Sequence, residues 1–156
     1  MPAVEIRKST LASPDAARLI TALNAELRAE HPEPGSTHFS LSGEQVSDGQ
    51  GAFLIAWLDQ AAVGCGAVRR LDEKTAELKR MYVDPCVRGQ GIGRALVESL
   101  EGEARALGVT RVVLETGKRL APAIRMYEGL GYVRIPLFGE YLSSPGTSVC
   151  FGKAIG

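Results

Sequence analysis

Between residues 75 and 116 the chain passes from a strand-like segment through a glycine-rich loop and a helix into a second strand, and this order restricts the fold more than any other feature. Residues 75–83, ending Met81-Tyr82-Val83, read as the first strand, and Arg111-Val112-Val113-Leu114-Glu115-Thr116 as the second. Between them Ile92, Ala95, Leu96, Ser99, Leu100, Ala104 and Leu107 form a helical stripe that Gly108 ends. A helix crossing between strands of one sheet makes those strands parallel. The preceding segments predict the opposite: residues 52–58 and 62–68 are apolar runs flanking Asp59-Gln60, a hairpin signal, and 75–83 follows as a third strand. A meander joined to a parallel crossover requires a mixed sheet, so the expected class is α/β (α+β).

The flanks extend this plan. Val4-Glu5-Ile6-Arg7 alternates as a short strand. Ser13-Pro14-Asp15 supplies a cap, a proline at the first helical position and an acid in the first turn, so a helix is expected over 14–29. Residues 32–51, rich in Pro, Gly and Ser, form either a functional loop with one short helix or a plain connection. Pro122 opens a further helix carrying Ile124, Met126, Tyr127 and Leu130, and 132–137 and 147–153 read as a closing pair of strands. Gly64 and Gly66 share a strand face where another element approaches closely. Trp57 is read as core.

At 156 residues, with no internal repeat, one domain over 1–156 is expected. Eighteen Lys+Arg balance eighteen Asp+Glu, which argues against a general nucleic-acid binder. Cys65, Cys86 and Cys150 have no CxxC spacing and read as scattered reduced thiols, hence a cytoplasmic expectation and no metal. The first residues lack the apolar stretch of a signal peptide, and the longest apolar run falls short of the about 20 residues needed to span a bilayer. No membrane partner is expected.

The loop Val83-Asp84-Pro85-Cys86-Val87-Arg88-Gly89-Gln90-Gly91-Ile92-Gly93-Arg94 joins strand to helix. Glycines allow left-handed backbone and close approach, and a helix N-terminus offers unpaired N–H groups and partial positive charge. With Arg88 and Arg94 these features predict a phosphate cradle. No Lys-Ser/Thr follows the glycines, so it is not a P-loop. A dinucleotide fingerprint is closer, with Glu115 at the ribose-acid distance. However, five residues separate Val83 from the first glycine, and the unit follows a meander.

The pattern Arg88-x-x-Gly91-x-Gly93 after Tyr82-Val83-Asp84-Pro85 resembles the acyl-CoA-binding signature of the GNAT N-acetyltransferase superfamily. The resemblance continues through Val112-Leu114-Glu115-Thr116 and from Ala123-Ile124-Arg125-Met126-Tyr127 to Gly131-Tyr132. It implies a mixed, largely antiparallel twisted sheet with helices on both faces and a V-shaped split between the two central parallel strands. It also implies acetyl-CoA as cosubstrate, with Met81, Tyr82 and Val83 along the pantetheine arm and Arg88, Gly89, Gln90, Gly91, Ile92, Gly93 and Arg94 at the diphosphate. Neither a metal nor a covalent acyl-enzyme is implied. Family members often carry Asn or Gln where this chain has Leu120, so part of the CoA contact differs.

An alkyl ammonium, with a pKa of about 10.4, must lose a proton before it attacks. Glu77 stands where some family members place a general base, and a carboxylate there can take the proton directly or through water. Equally, Glu77, Lys79 and Arg80 could be surface charges at a projecting strand end. Tyr127 matches the family's tyrosine that donates to the departing thiolate, although its spacing with Ile124 and Leu130 also suits a core aromatic. His31 and His38 read as solvated; Lys118 and Arg119 either meet the outer phosphate or stand exposed. The expected activity is acetyl transfer to a primary amine of a small molecule. A protein or peptide N-acetyltransferase and an inactive acyl-CoA-binding module are the alternatives, and a strand edge near the C-terminus offers a homodimer contact.

Overall fold

A computed structural model describes residues 3–30, 32 and 41–156. Among these, seven strands form one sheet: β1 (Val4–Ser9), β2 (Gly51–Leu58), β3 (Ala61–Arg70), β4 (Thr75–Val83), β5 (Arg111–Gly117), β6 (Val133–Ile135) and β7 (Ser148–Ala154). Three α-helices accompany them: α1 (Pro14–Glu30), α2 (Ile92–Ala106) and α3 (Ala121–Gly129), with 3-10 turns at Gly43–Val46, Pro85–Val87 and Gly139–Ser143. The strand order is β1-β2-β3-β4-β5-β7-β6, and only β4 and β5 pair in parallel.

Local chemistry explains the boundaries. The N–H of Ala16 donates to Ser13 Oγ at 3.1 Å, the cap expected for α1. Asp59 takes φ 55° in the two-residue turn between β2 and β3, and Gly108 ends α2 at φ 84°. The expected closing pair forms, but β6 is only three residues, and the 139–143 turn occupies the connection to β7. β7 lies between β5 and β6, so the edges are β1 and β6.

Period-two alternation sorts the side chains of the sheet into two cores. Phe53, Ile55, Cys65 and Ala67 pack with Ala16 and Leu19 of α1 on one face. Leu54, Val68, Leu78, Val112, Leu114 and Phe151 pack with α2 and α3 on the other. Trp57 is only partly buried, with the Arg7 guanidinium 5.2 Å from its ring centre, because it sits near the end of β2 beside edge strand β1. A Cβ at Gly66 would lie 2.9 Å from Leu100 of α2 and would overlap Met81, so α2 is the close neighbour that these glycines admit.

Two irregularities open the sheet. β4 pairs with β5 only from Thr75–Arg111 to Leu78–Leu114, although β4 continues to Val83 and β5 to Gly117. On its other side β4 gains a residue against β3: Cys65 faces Tyr82 and Ala67 faces Lys79, with Arg80 at φ 58° in between. A bulge bends its strand, and this one lies just where β4 leaves β5. The expected V-shaped split is therefore present.

Gly64→Ala tests the packing of β3. The added Cβ would meet the Tyr82 carbonyl oxygen at 2.8 Å and Leu96 at 3.3 Å. Backbone cannot yield as a side-chain tip can, so a loss of about 1–3 kcal/mol is expected in urea denaturation, with an unchanged m value.

Candidate active site

The split holds a cleft of about 610 Å³. Its walls include Leu23 and Leu27 of α1 from one face of the sheet and Met126 and Tyr127 of α3 from the other. The cleft thus passes between β4 and β5, and groups from both faces meet in it.

One end is the glycine loop. Asp84 Oδ1 accepts from the Cys86 N–H at 2.9 Å and starts a tight turn. Gly89 and Gly91 follow at φ 81° and 83°, backbone that a side chain would strain. Gly91 caps α2 without a side-chain oxygen, and the first turn holds no acid. The first helical hydrogen bond is Ala95 N–H to Gly91 O at 3.0 Å, so the amides ahead of it have no partner within the helix. Gly93 lets the first turn approach α3, since a Cβ there would be 3.0 Å from Met126 Sδ. Ile92 is buried, whereas Gln90 and Arg94 are exposed.

Arg88 is placed differently from a simple cradle charge. Its Nε donates to the Val83 carbonyl at 2.8 Å, its Nη2 pairs with Glu26 of α1, and its guanidinium lies 5.7 Å from the Tyr82 ring centre. It lines the cleft while tying the end of β4 to α1.

The other end is built on the face that α1 leaves open. Glu77 is fully buried: Arg69 Nε and Nη2 both lie 3.1 Å from Oε1, and Tyr141 donates to Oε2 at 2.5 Å. It is a buried paired charge rather than a projecting one. It does not line the cleft, but Tyr141 does. Lys79 is buried and pairs with Glu140 at 2.8 Å. Arg80 Nη1 donates to Asn24 of α1 at 3.0 Å. The turn at 139–143 therefore closes this end of the site with Glu140 and Tyr141.

From the sequence Glu115 reads only as a ribose-acid candidate or as part of the family match. It lines the cleft two residues from Val113, the partner of Glu77 across the parallel pair. Ser148 Oγ donates to its Oε2, and among the described residues its Oε1 accepts no hydrogen bond. Burial pushes its carboxyl up to about 7; the Ser148 hydrogen bond opposes that and the charge of Glu77 adds to it. The signal was available, because Glu115 interrupts an apolar strand just as Glu77 does.

Tyr127 is buried on α3, packs edge-on to Tyr132 at 5.8 Å and lines the cleft. Its hydroxyl makes no hydrogen bond among the described residues. Burial, and secondarily the charge of Glu115, raise its pKa above the ordinary phenol value, so it stays protonated and able to donate. Leu120 lines the cleft wall. Lys118 Nζ is held by the Pro145 carbonyl at 2.6 Å and Arg119 Nη1 by the Glu30 carbonyl at 2.8 Å. His31 and His38 lie outside the described residues. All three cysteines are free, with Cys65 and Cys150 buried and Cys86 exposed.

Comparison with known proteins gives this geometry a family. The sequence profile of the acetyltransferase (GNAT) family matches residues 17–132. The IAA acetyltransferase of Azospirillum brasilense is 35% identical over 147 residues, covering 93% of this chain and 94% of that protein. A Klebsiella pneumoniae protein proposed to be an acyl-CoA N-acyltransferase has a crystal structure that superposes with a TM-score of 0.81 at 30% identity, over 98% of both chains. A GNAT acetyltransferase from Elizabethkingia anophelis, solved with acetyl-CoA bound, shares the fold with a TM-score of 0.70 at 16% identity, over 97% of each chain. The chain belongs to the acetyltransferase (GNAT) family. It is an acyltransferase whose acetyl donor is acetyl-CoA. Among the described residues no helix is long and apolar enough to cross a membrane.

Removing Glu77 measures how firmly the buried pair is held. Glu77→Ala leaves Arg69 and Tyr141 without their acceptor, and a loss of about 3 kcal/mol is expected in urea denaturation at neutral pH. A loss below about 1 kcal/mol would mean that Arg69 turns to solvent at little cost.

Proposed function

We propose that the protein moves the acetyl group of acetyl-CoA to a primary amine of a small molecule. The observation that carries this reading is the Tyr127 hydroxyl, buried in the cleft without a hydrogen-bond partner among the described residues and facing the field of Glu115. A buried donor of this kind is costly unless a ligand uses it. A small acceptor is favoured because the cleft of about 610 Å³, with Tyr141 held on Glu77 in its wall, has to take the end of the donor and the acceptor together.

In this reading the free amides at the start of α2, spaced by Gly89, Gly91 and Gly93 and flanked by Gln90, Ile92 and Arg94, receive the diphosphate. Arg88 orders the loop through Val83 and Glu26. The backbone of Met81, Tyr82 and Val83 borders the pantetheine arm, in the stretch of β4 that β5 leaves unpaired. The thioester supplies the acyl carbon: the amine nitrogen bonds to it, the carbon–sulfur bond breaks, and CoA departs as a thiol. Tyr127 donates the proton to sulfur and recovers one from solvent.

The amine's proton goes to a carboxylate. Glu77 can take it only through the Tyr141 hydroxyl, which would pass its own proton on to Oε2. Glu115 is favoured by a specific observation: it faces the cleft with Oε1 free, and its pKa of about 7 suits a base at neutral pH.

Tyr127→Phe keeps the ring and its contact with Tyr132 but removes the proton donor. The expected result is a fall in kcat of about 100-fold with acetyl-CoA affinity retained, read by thiol release across a panel of small amines and by calorimetry. An unchanged kcat would return Tyr127 to a packing role. Acetylation of peptides with no small amine accepted would overturn the acceptor class.

A further inference from the structure

The segment 139–148 touches both carboxylates of the site. Its Tyr141 holds Glu77, and its Ser148 holds Glu115. Ser148 is 2% exposed and lies opposite Gly117 in the β5–β7 pair. Its N–H donates to the Ser144 carbonyl at 2.9 Å, which fixes where its hydroxyl stands. The Ser148 hydroxyl is 2.8 Å from that of Ser144, which is 3.2 Å from the Tyr141 carbonyl oxygen.

We infer that Ser148, backed by Ser144, is a positioning residue for the proton transfer: it grips Glu115 by Oε2, leaves Oε1 for the amine's proton, and keeps the carboxyl hydrogen-bonded before and after it accepts that proton. The inference rests on the reading of Glu115 as proton acceptor. Its physical basis is that the Ser148 hydroxyl, held in place by Ser144, occupies Oε2 and leaves only Oε1 open. With Glu115 ionised, Ser144 donates to Ser148 and Ser148 donates to Oε2. With the amine's proton on Oε1, Ser148 still donates to Oε2 and Ser144 still backs Ser148. Protonation on Oε1 therefore costs Oε2 no hydrogen bond, and the oxygen that gains the proton is the one left without a protein partner.

The groups facing Glu115 set the direction of the effect. Glu77 and Lys79 face it from β4, Tyr127 from α3, Glu140 and Tyr141 from the 139–143 turn, and Cys150 from β7 directly opposite. Burial, Glu77 and Glu140 disfavour the carboxylate; Ser148, more than Lys79, favours it. Loss of the Ser148 hydroxyl therefore raises the pH at which Glu115 loses its proton.

The experiment is the pH dependence of kcat/KM for the wild-type protein, Ser148→Ala, Ser144→Ala and Glu115→Gln, with acetyl-CoA binding measured by calorimetry for each. Ser148→Ala should move the acid limb upward by about one pH unit, bind acetyl-CoA as the wild type does, and recover rate above the shifted limb. Glu115→Gln should abolish the limb and most of the rate. A Ser148→Ala profile that superimposes on the wild type, with the limb lost in Glu115→Gln, would overturn the positioning role and leave Glu115 as the base. A limb and rate retained in Glu115→Gln would instead sink the reading of Glu115 itself. Should Ser148→Ala fail to fold, Ser144→Ala decides: a smaller upward shift supports the inference, and an unmoved limb refutes it.

Discussion

The parallel pairing of β4 with β5 stops after Leu78 and Leu114, and the cleft between the two strands depends on that stop. A strand pair that continued would place ladder hydrogen bonds where the cleft runs. Instead Arg80 takes a left-handed conformation, β4 gains a residue against β3, and the strand bends away. The backbone freed in this way borders the space where the family's thioester donor is expected to lie. Because the opening passes through the sheet, Tyr127 from the α3 face comes within the field of Glu115 from the opposite face.

Burial then makes chemically different groups out of similar side chains. Glu77 and Glu115 are both carboxylates on the same sheet face. Glu77 has both oxygens engaged, by Arg69 and Tyr141, and is locked in place by them. Glu115 has one oxygen held by Ser148 and the other free beside the cleft, and its pKa is pushed up to about 7. One is held by neighbours and the other is poised to titrate. Tyr127 and Tyr141 divide similarly: Tyr141 donates to a carboxylate, whereas the Tyr127 hydroxyl finds no partner among the described residues.

The glycine loop shows how a local motif is finished by tertiary contacts. Gly89 and Gly91 are required by backbone conformation, and Gly93 by the approach of Met126. Arg88, expected at the diphosphate, lines the cleft and also joins β4 to α1 through Val83 and Glu26. Donor loop and α1 are thereby coupled through one side chain.

Much of the architecture was legible in the chain because it follows from local periodicity. The hairpin around Asp59-Gln60, the strand 75–83, the stripe from Ile92 to Leu107 and the strand 111–116 were each readable within a few residues of their observed ends. The class of chemistry was also readable, since Arg88-x-x-Gly91-x-Gly93 at a helix start and Tyr127 downstream lie in short, ordered segments. Sequence could name Glu77 and Glu115 as charges in apolar strands, but it could not rank them. That ranking depends on Arg69 from β3, Tyr141 from a turn sixty-four positions after Glu77, and Ser148 from β7. The short β6, the interior place of β7 and the partial exposure of Trp57 were likewise decided by strand order, which no local pattern encodes. Hydrogen bonds and burial between residues distant in sequence exist only once the sheet has formed, and they determine which carboxylate is locked and which is free.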